Sequence, residues 1–258
     1  MKIIVAGYGF VGKAVKNAFK KKHHIEVVDP KYTSNRVNNF MDADGLIICV
    51  NTPSDAKGEC DISNIIAVLD ETPIHIPVMI KSTVSPDKAQ TILEKYTEHS
   101  IVFCPEFLRA SNADDDFLNQ KYIIIGGDDP FDFWQLLFKE TLPNLKIIHS
   151  CSEQESCLVK YATNSFLATK VSFFNHIYDI CQTANLDFST VRQLICQDQR
   201  IGTGHSIVPG LDGTRGWGGH CFPKDTQALV KYVNSLGQTF DLLETVINYN
   251  DKIKNEIV

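Results

Sequence analysis

The sequence predicts an α/β chain in two parts: a parallel-sheet domain over residues 1–150, then an all-α domain over residues 151–258 with a long central helix. Three observations carry this. Short Ile/Val-rich runs alternate with helix-like stretches as far as Ser150, which is the grammar of parallel βαβ units. Those runs lack polar alternation, as strands covered on both faces do. Past Ser150 the alternation stops, and a stretch without Gly or Pro runs to about Ala184.

The strand-like runs are Lys2–Ala6, Ile25–Asp29, Gly45–Val50, Val78–Lys81, Ile101–Cys104, Tyr122–Gly126 and Leu145–His149. Ser152 with Glu155 reads as a capping box that opens the long helix. Leu158, Tyr161, Ser165, Ala168, Ser172, Asn175 and Asp179 form one helical stripe. Val159, Phe166, Phe173 and Ile177 form neighbouring ones, so much of this helix is expected to be buried. A second helix is predicted over Ser189–Cys196 and a Gly-rich loop over Ile201–Gly219. A third helix follows over Pro223–Leu236, stopped by Gly237, and a fourth runs from Phe240 to the end. The domain boundary falls near Cys151, and active sites commonly occupy the cleft between such halves.

Composition narrows the function classes. The 258 residues include 43% hydrophobic and 22% charged side chains, ordinary values for a globular chain. The net charge of −6 argues against nucleic acid or anionic lipid as partner. No apolar run reaches the roughly 20 residues of a membrane span, and Met1 leads into a strand without a signal-peptide pattern. A cytoplasmic chain is expected. Eight cysteines without a CxxC pair indicate neither a disulfide scaffold nor a structural metal site, and most are expected to be small buried hydrophobes.

The first run feeds into Gly7-Tyr8-Gly9-Phe10-Val11-Gly12 and a helix-like Lys13–Lys22. This is GxGxxG in its strand-turn-helix context, a Rossmann-like dinucleotide site. Gly7 permits the tight turn, Gly9 lets backbone approach a pyrophosphate, and Gly12 lets the helix pack on the strand. The amides at Phe10 and Val11 then face the anion. Asp29 ends the second strand, 17 residues after Gly12, near the offset of a ribose-binding acid. It favours NAD over NADP, whereas Lys31, counted with the same cofactor loop, would tolerate a 2′-phosphate. The alternative is a glycine turn and strand-end acid of some other α/β protein.

Cys221 lies in Gly216-Trp217-Gly218-Gly219-His220-Cys221-Phe222-Pro223-Lys224-Asp225. Pro223 suits a helix start, which places the thiol at a helix N-terminus, where the dipole favours the thiolate. A buried loop cysteine is the alternative. Lys160 and Asn164 share one helix face. A lysine on a largely buried helix could stabilise a developing alkoxide, act as acid or base, or favour the thiolate; a solvated lysine is the other reading.

At this point the chain resembles the nucleotide-sugar 6-dehydrogenase family. The resemblance rests on GYGFVG at 7–12, Asn51-Thr52-Pro53, Ser82-Thr83-Val84 and Pro105-Glu106-Phe107-Leu108-Arg109. It continues through Leu158-Val159-Lys160-Tyr161-x-x-Asn164-x-x-Leu167-Ala168-x-Lys170, Arg200-Ile201-Gly202 and the GWGGHCFPKD stretch. The resemblance implies a four-electron oxidation of a sugar C6 alcohol to a carboxylate with two NAD⁺, UDP-glucose being the favoured substrate. It makes Cys221 the nucleophile that carries a thiohemiacetal and then a thioester. Lys160 and Asn164 would hold the C6 oxygen, Asp225 would orient the lysine or a water, and Thr83 and Glu106 would activate the hydrolytic water. Thr52, Pro53, Ser82 and Thr83 would line the cofactor. Glu106, Phe107, Leu108, Arg109, Lys160, Asn164, Gly218 and Cys221 would meet the substrate, with Arg200 reaching across a homodimer formed through the long helix. N-cap roles for Ser82 and Thr83 and a surface ion pair for Arg200 are the structural alternatives.

Two departures stand out. Ala110 replaces the glutamate with which the family commonly continues PEFLR, leaving hydrolysis to Glu106, since Asp114–Asp116 read as a solvated acidic run. Typical relatives also carry a third, C-terminal α/β domain, whereas this chain stops at Val258; a naturally compact form and a truncated chain both fit that, and relaxed selectivity is expected. Two other enzyme readings and one binding reading compete. A single-step 3-hydroxyacid or 6-phosphogluconate-type dehydrogenase needs no thiol, so Cys221 speaks against it. A cysteine hydrolase using His220 and Cys221 fails because adjacent residues seldom pair as base and nucleophile. A non-catalytic NAD-binding protein has no need of Thr83, Glu106, Lys160, Asn164, Cys221 and Asp225 together.

Overall fold

The structure, a computed structural model, describes residues 1–55 and 58–255. The chain divides into two compact units, Met1–Lys160 and Tyr161–Val258.

The first unit is a seven-stranded sheet. Its strands are β1 (Lys2–Ala6), β2 (His24–Val28), β3 (Gly45–Ile48), β4 (Val78–Ile80), β5 (Ile101–Phe103), β6 (Tyr122–Gly126) and β7 (Ile147–Cys151), in the order β2-β1-β3-β4-β5-β6-β7. The helices are α1 (Phe10–Phe19), α2 (Ser63–Leu69), α3 (Pro86–Lys95), α4 (Ala113–Leu118) and α5 (Phe131–Thr141). Successive side chains enter opposite cores, as the two-residue period of a strand requires. Ile4, Leu46, Ile48, Val78, Ile80 and Phe103 pack with Ile65 and Leu69 of α2 and Ala89 and Ile92 of α3. Ile3, Val5, Ile47, Met79 and Val102 pack with Val15 and Phe19 of α1, Phe117 of α4, and Trp134 and Phe138 of α5. Covering both faces explains why the runs are apolar throughout.

The sheet is mainly parallel, as expected, with one reversal. Strands β1 to β5 are parallel, but β6 pairs with β5 antiparallel, and β7 runs parallel to β6. An apolar run buried on both faces reads the same in either direction, so hydropathy carries no sign of the reversal. The parallel register aligns Ala6 with Ile48, Ile48 with Ile80, and Ile80 with Phe103. The segments that follow β1, β3, β4 and β5 therefore leave one edge of the sheet together, the edge where such folds bind ligands.

Helix α6 (Glu153–Thr183) starts in the first unit, where Cys157 joins the core. Its predicted capping box is present: Glu155 Oε2 accepts from the Ser152 amide at 2.8 Å, and Ser152 Oγ accepts from the Glu155 amide at 3.3 Å. The second unit contains the rest of α6 with α7 (Phe188–Ile195), α8 (Phe222–Ser235) and α9 (Asp241–Asn255). The fourth helix was expected to run to the chain end, and residues 256–258 lie outside the described residues. Asp187 caps α7 by accepting from the amides of Ser189 and Thr190. Tyr161 packs with Ala228, Leu229 and Leu243, while Ala168 packs with Trp217 and Val246.

On α6 the stripe through Tyr161, Ser165, Ala168, Ser172 and Asn175 is buried, as predicted. Leu158, Val159, Phe166 and Phe173 are exposed instead, Phe166 at 68% and Phe173 at 54%. Small and polar side chains at Ser165, Ala168, Ser172 and Asn175 make up much of the buried face, where Trp217 packs on Ala168 and α8 packs on Tyr161. Phe166 and Phe173 lie on the uncovered side, while the aromatic side chains of Tyr161 and Phe174 are buried.

Candidate active site

The first half of the site is the turn after β1. Gly7 has φ +89°, and a Cβ there would lie 2.6 Å from the Cys49 carbonyl carbon, so the turn can lie against the end of β3 only as glycine. A Cβ on Gly12 would fall 1.9 Å from the Gly7 carbonyl oxygen. Gly9 differs, because nothing lies within 4 Å of a Cβ placed there. Neither φ, at −78°, nor protein crowding requires glycine at this position, so the cradle suits a bound group. No side chain caps α1, which leaves its start, at Phe10 and Val11, to the dipole and amides that attract an anion.

Asp29 sits just after β2 with each carboxylate oxygen on a backbone amide: Tyr8 N at 2.7 Å and Lys31 N at 2.9 Å. The acid is thereby tied to the glycine turn, and its remaining lone pairs can take ribose hydroxyls. Tyr8 and Tyr32 meet edge to face at 5.4 Å, with the Lys31 ammonium 5.8 Å from the Tyr32 ring centre. The open space at Gly9, the uncapped helix start and the anchored acid together fit a dinucleotide.

The loops after β3 and β4 are stitched to each other. Thr52 Oγ1 donates to the Thr83 carbonyl at 2.6 Å, and Ser82 Oγ donates to the Val50 carbonyl at 2.7 Å. Thr52 and Ser82 are buried, and Pro53 is exposed. Neither Ser82 nor Thr83 caps α3, whose N-cap is Ser85.

After β5, Glu106 is buried and faces Lys81, whose Nζ lies 3.0 Å from Glu106 Oε2. Glu106 Oε1 accepts from the Phe107 amide at 3.1 Å. Lys81 also donates to the Cys104 carbonyl at 3.1 Å. Burial works to lower the Lys81 pKa, but negative charge on the Cys104 sulfur, where that thiol ionises, and on the Glu106 carboxylate outweighs it and holds the ammonium above its usual range. Leu108 packs into the α1-side core, and the half-buried Phe107 has the Lys160 ammonium 5.3 Å from its ring centre. Arg109 is clamped by Asp116, which accepts its Nε at 2.9 Å, its Nη2 at 2.6 Å and its backbone amide at 2.8 Å. The acidic run is therefore not uniformly solvated. Asp116 is spent on Arg109, whose guanidinium holds its carboxyl well below the usual range.

In the second unit, α6 and α8 are joined at the site. Asn164 Nδ2 donates to Asp225 Oδ2 at 2.5 Å, and Lys224 Nζ contacts Asp225 Oδ1 at 2.5 Å. Asn164 and Asp225 are buried. Lys160, also buried, lies one turn before Asn164 on α6. Cys221 is the N-cap of α8, and its carbonyl accepts from the Asp225 amide at 2.8 Å. Among the eight cysteines it alone is exposed. Burial pushes the Cys49 thiol up to about 12 and raises those of Cys104 and Cys157 as well.

The loop before Cys221 is held from both sides. Asn175 Oδ1 accepts from the Gly216 amide at 3.1 Å, and Asn250 Oδ1 accepts from the Trp217 amide at 2.7 Å. Gly218 lies against Lys254, whose Nζ would be 2.7 Å from a Cβ there. Arg200 points to solvent and pairs locally with Asp198 at 2.5 Å, while Lys170 Nζ donates to the Ile201 carbonyl behind it at 2.7 Å.

Sequence reasoning gave no role to Lys81 or Lys224, nor to the two asparagines that hold the loop. Lys81 had a signal: it is the lone charge closing an all-apolar strand run, and a buried cation calls for a partner. The asparagines had none, since their partners are 33 to 41 residues away. Among the described residues no group of His, Cys, Asp or Glu is placed to hold a metal, and no helix is long and apolar enough to cross a membrane.

Comparison with known proteins bears on both halves. Residues 30–137 match the NAD binding domain of the UDP-glucose/GDP-mannose dehydrogenase family, and residues 154–252 match its central domain. The matched domain is an NAD binding one, so the cofactor is NAD. A UDP-glucose 6-dehydrogenase of Rickettsia bellii is 33% identical over 230 residues, covering 85% of this chain and 52% of that protein. The chain thus spans about half the length of the curated relatives it matches. The structure of a UDP-glucose dehydrogenase from Pyrobaculum islandicum superposes with a TM-score of 0.84 at 25% identity, over 97% of this chain and 68% of that one. A 3-hydroxyisobutyrate dehydrogenase of Mycobacterium tuberculosis shares the fold, with a TM-score of 0.76 at 16% identity, over 97% of this chain and 92% of that one.

Proposed function

The chain belongs to the UDP-glucose/GDP-mannose dehydrogenase family, and on that premise we propose that it takes part in the NAD-dependent oxidation of a nucleotide-sugar C6 alcohol to the uronic acid. UDP-glucose is the proposed substrate, after the name of the Rickettsia relative. The observation that carries the reading is Cys221, the exposed thiol at the start of α8, one turn before the buried Asp225–Asn164 pair.

NAD⁺, when bound, accepts a hydride from C6 in each of two oxidations. Gly9, the start of α1 and Asp29 would hold it, and Thr52, Pro53, Ser82 and Thr83 would shape the loops beside it. Lys160 and Asn164 are assigned to the C6 oxygen, where an ammonium and an amide donor stabilise developing negative charge. Asp225 accepts one Asn164 N–H at 2.5 Å and so fixes the rotamer of the amide, leaving the other N–H for substrate. The aldehyde formed first has no hydride-donating alkoxide. Addition of the Cys221 sulfur to its carbonyl carbon creates one as a thiohemiacetal, and loss of the second hydride leaves a thioester. Thr83 and Glu106 are assigned to the water that hydrolyses it.

Phe107, Leu108, Arg109 and Gly218 are the proposed substrate-side contacts. The exposed Phe166, Phe173 and Ile180, spaced by two helical turns on α6, form an apolar stripe of the kind a second copy covers. We assign it to a homodimer, with Arg200 reaching the partner's substrate. A cytoplasmic location and supply of uronic acid for polysaccharide synthesis accompany this reading.

The test is the number of NADH formed per limiting UDP-glucose with excess NAD⁺, beside Cys221→Ser. Two per sugar in the wild type and near-complete loss in the variant are expected. One per sugar, unaffected by Cys221→Ser, would point to the single-step dehydrogenase.

A further inference from the structure

The Lys81–Glu106 pair joins the ends of two parallel strands. Lys81 follows β4 directly, and Glu106 lies three residues after β5. Their side chains are 1% and 8% exposed. Lys81 Nζ has the Phe117 and Phe138 ring centres each at 5.6 Å, so apolar rings replace water around it. On the Glu106 side, Oε2 is fully buried and has no hydrogen-bond partner of good geometry among the described residues. The Lys81 ammonium 3.0 Å away is the group that compensates its charge.

The titratable groups around the pair are the Cys49 thiol at the end of β3 and the Cys104 thiol at the end of β5, whose sulfur is 3.4 Å from Lys81 Nζ. From α4 and α5 the Phe117 and Phe138 rings face it. Burial keeps both thiols neutral near pH 7, so Lys81 and Glu106 carry the local charge between them. A carboxyl group buried without a cation takes up a proton, and a protonated acid cannot receive one from water.

We propose that Lys81 is the positioning residue of Glu106, holding the buried carboxylate as an anion so that it can act in thioester hydrolysis. This rests on the role assigned to Glu106 above. In that step the water oxygen bonds to the thioester carbon while its proton passes to Glu106. The C–S bond then breaks, the sulfur leaving as the Cys221 thiolate, and the proton returns from Glu106 to the sulfur or to solvent. Lys81 keeps its protons throughout.

The experiment follows the acyl group on Cys221 by intact-protein mass after a pulse of UDP-glucose and NAD⁺, from pH 6 to pH 9. It compares wild type, Glu106→Gln, Lys81→Met and Lys81→Gln, with NAD⁺ affinity by calorimetry as the control for folding. Glu106→Gln is expected to retain the acyl group at every pH. Lys81→Met and Lys81→Gln are expected to retain it at pH 7, with release slowed by at least about tenfold, and to clear it at the alkaline end of the range. Lys81→Gln can still hydrogen-bond the carboxylate without charge, so it separates charge from packing if Lys81→Met does not fold. Wild-type release at pH 7 in either folded Lys81 variant, with Glu106→Gln still blocked, overturns the proposal and leaves the role of Glu106 standing. Absence of retained acyl group in Glu106→Gln removes the role of Glu106 and the proposal with it.

Discussion

Asn164 on α6 donates to the carboxylate of Asp225 on α8 across 2.5 Å, and both side chains are buried. The second carboxylate oxygen holds Lys224. One acid therefore orients an amide proposed to touch substrate and ties the helix that begins at Cys221 to the long helix α6. Asp225→Ala removes both partnerships and leaves a buried amide unsatisfied. It is expected to lower stability by at least about 2 kcal/mol, read from urea unfolding. Asp225→Asn preserves the shape and is expected to retain most of the stability while kcat falls by about a hundredfold or more. Wild-type kcat in Asp225→Asn would sink the orienting role.

Two glycines in one turn should fail in different ways. Gly12→Ala drives a Cβ to within 1.9 Å of the Gly7 carbonyl oxygen, an overpacking expected to cost about 1–3 kcal/mol or more. Gly9→Ala meets nothing within 4 Å and is expected to stay within about 0.5 kcal/mol of wild type, yet to weaken NAD⁺ binding by at least about tenfold because the new methyl occupies the pyrophosphate approach. Thermal melts beside calorimetric NAD⁺ titrations separate the two. Equal affinity in Gly9→Ala and wild type would remove the cradle.

His23, in the turn between α1 and β2, is a built-in acid sensitivity. Burial and the nearby chain amino terminus lower its pKa from 6.5. Its Nε2 lies 3.2 Å from Thr141 Oγ1, and its buried Nδ1 has no partner among the described residues. With the folded value below the unfolded one, the unfolded chain binds more protons between the two, so stability rises with pH there. Stability is therefore undiminished above about pH 6.5 and falls as the solution is acidified below it. His23→Gln is expected to flatten that part of the Tm-against-pH curve. An unchanged slope would locate the sensitivity elsewhere.

The exposed stripe on α6 predicts the association state. Sedimentation velocity at micromolar concentration is expected to show a dimer for the wild type and a monomer for Phe166→Asp with Phe173→Asp, with the helical content of both preserved. A monomeric wild type refutes the assignment.

Much of this was legible in the chain. Glycine spacing, strand runs and the capping box at Ser152 are local signals, set by φ, by side-chain period and by hydrogen bonds spanning three or four residues, and each appears at or next to the place the sequence indicates. Cys221 could be placed at a helix start because Pro223 marks helix starts. The features that the sequence did not show share a different cause. The reversal of β6 and the exposure of Phe166 and Phe173 depend on what lies opposite each surface, and an apolar side chain carries no record of its neighbour.

The amino-acid sequence by itself determined which residue types are available, their order, and the local geometry of the glycine turn and the α8 start. Only the tertiary structure decided that Glu106 meets Lys81, that Asp116 is taken by Arg109, and that Asp225 divides its oxygens between Asn164 and Lys224. The Glu106 and Asp225–Asn164 pairings join residues 25 or more positions apart. Even the short-range ones depend on which charged groups packing leaves shielded from water, and that is a property of the assembled core.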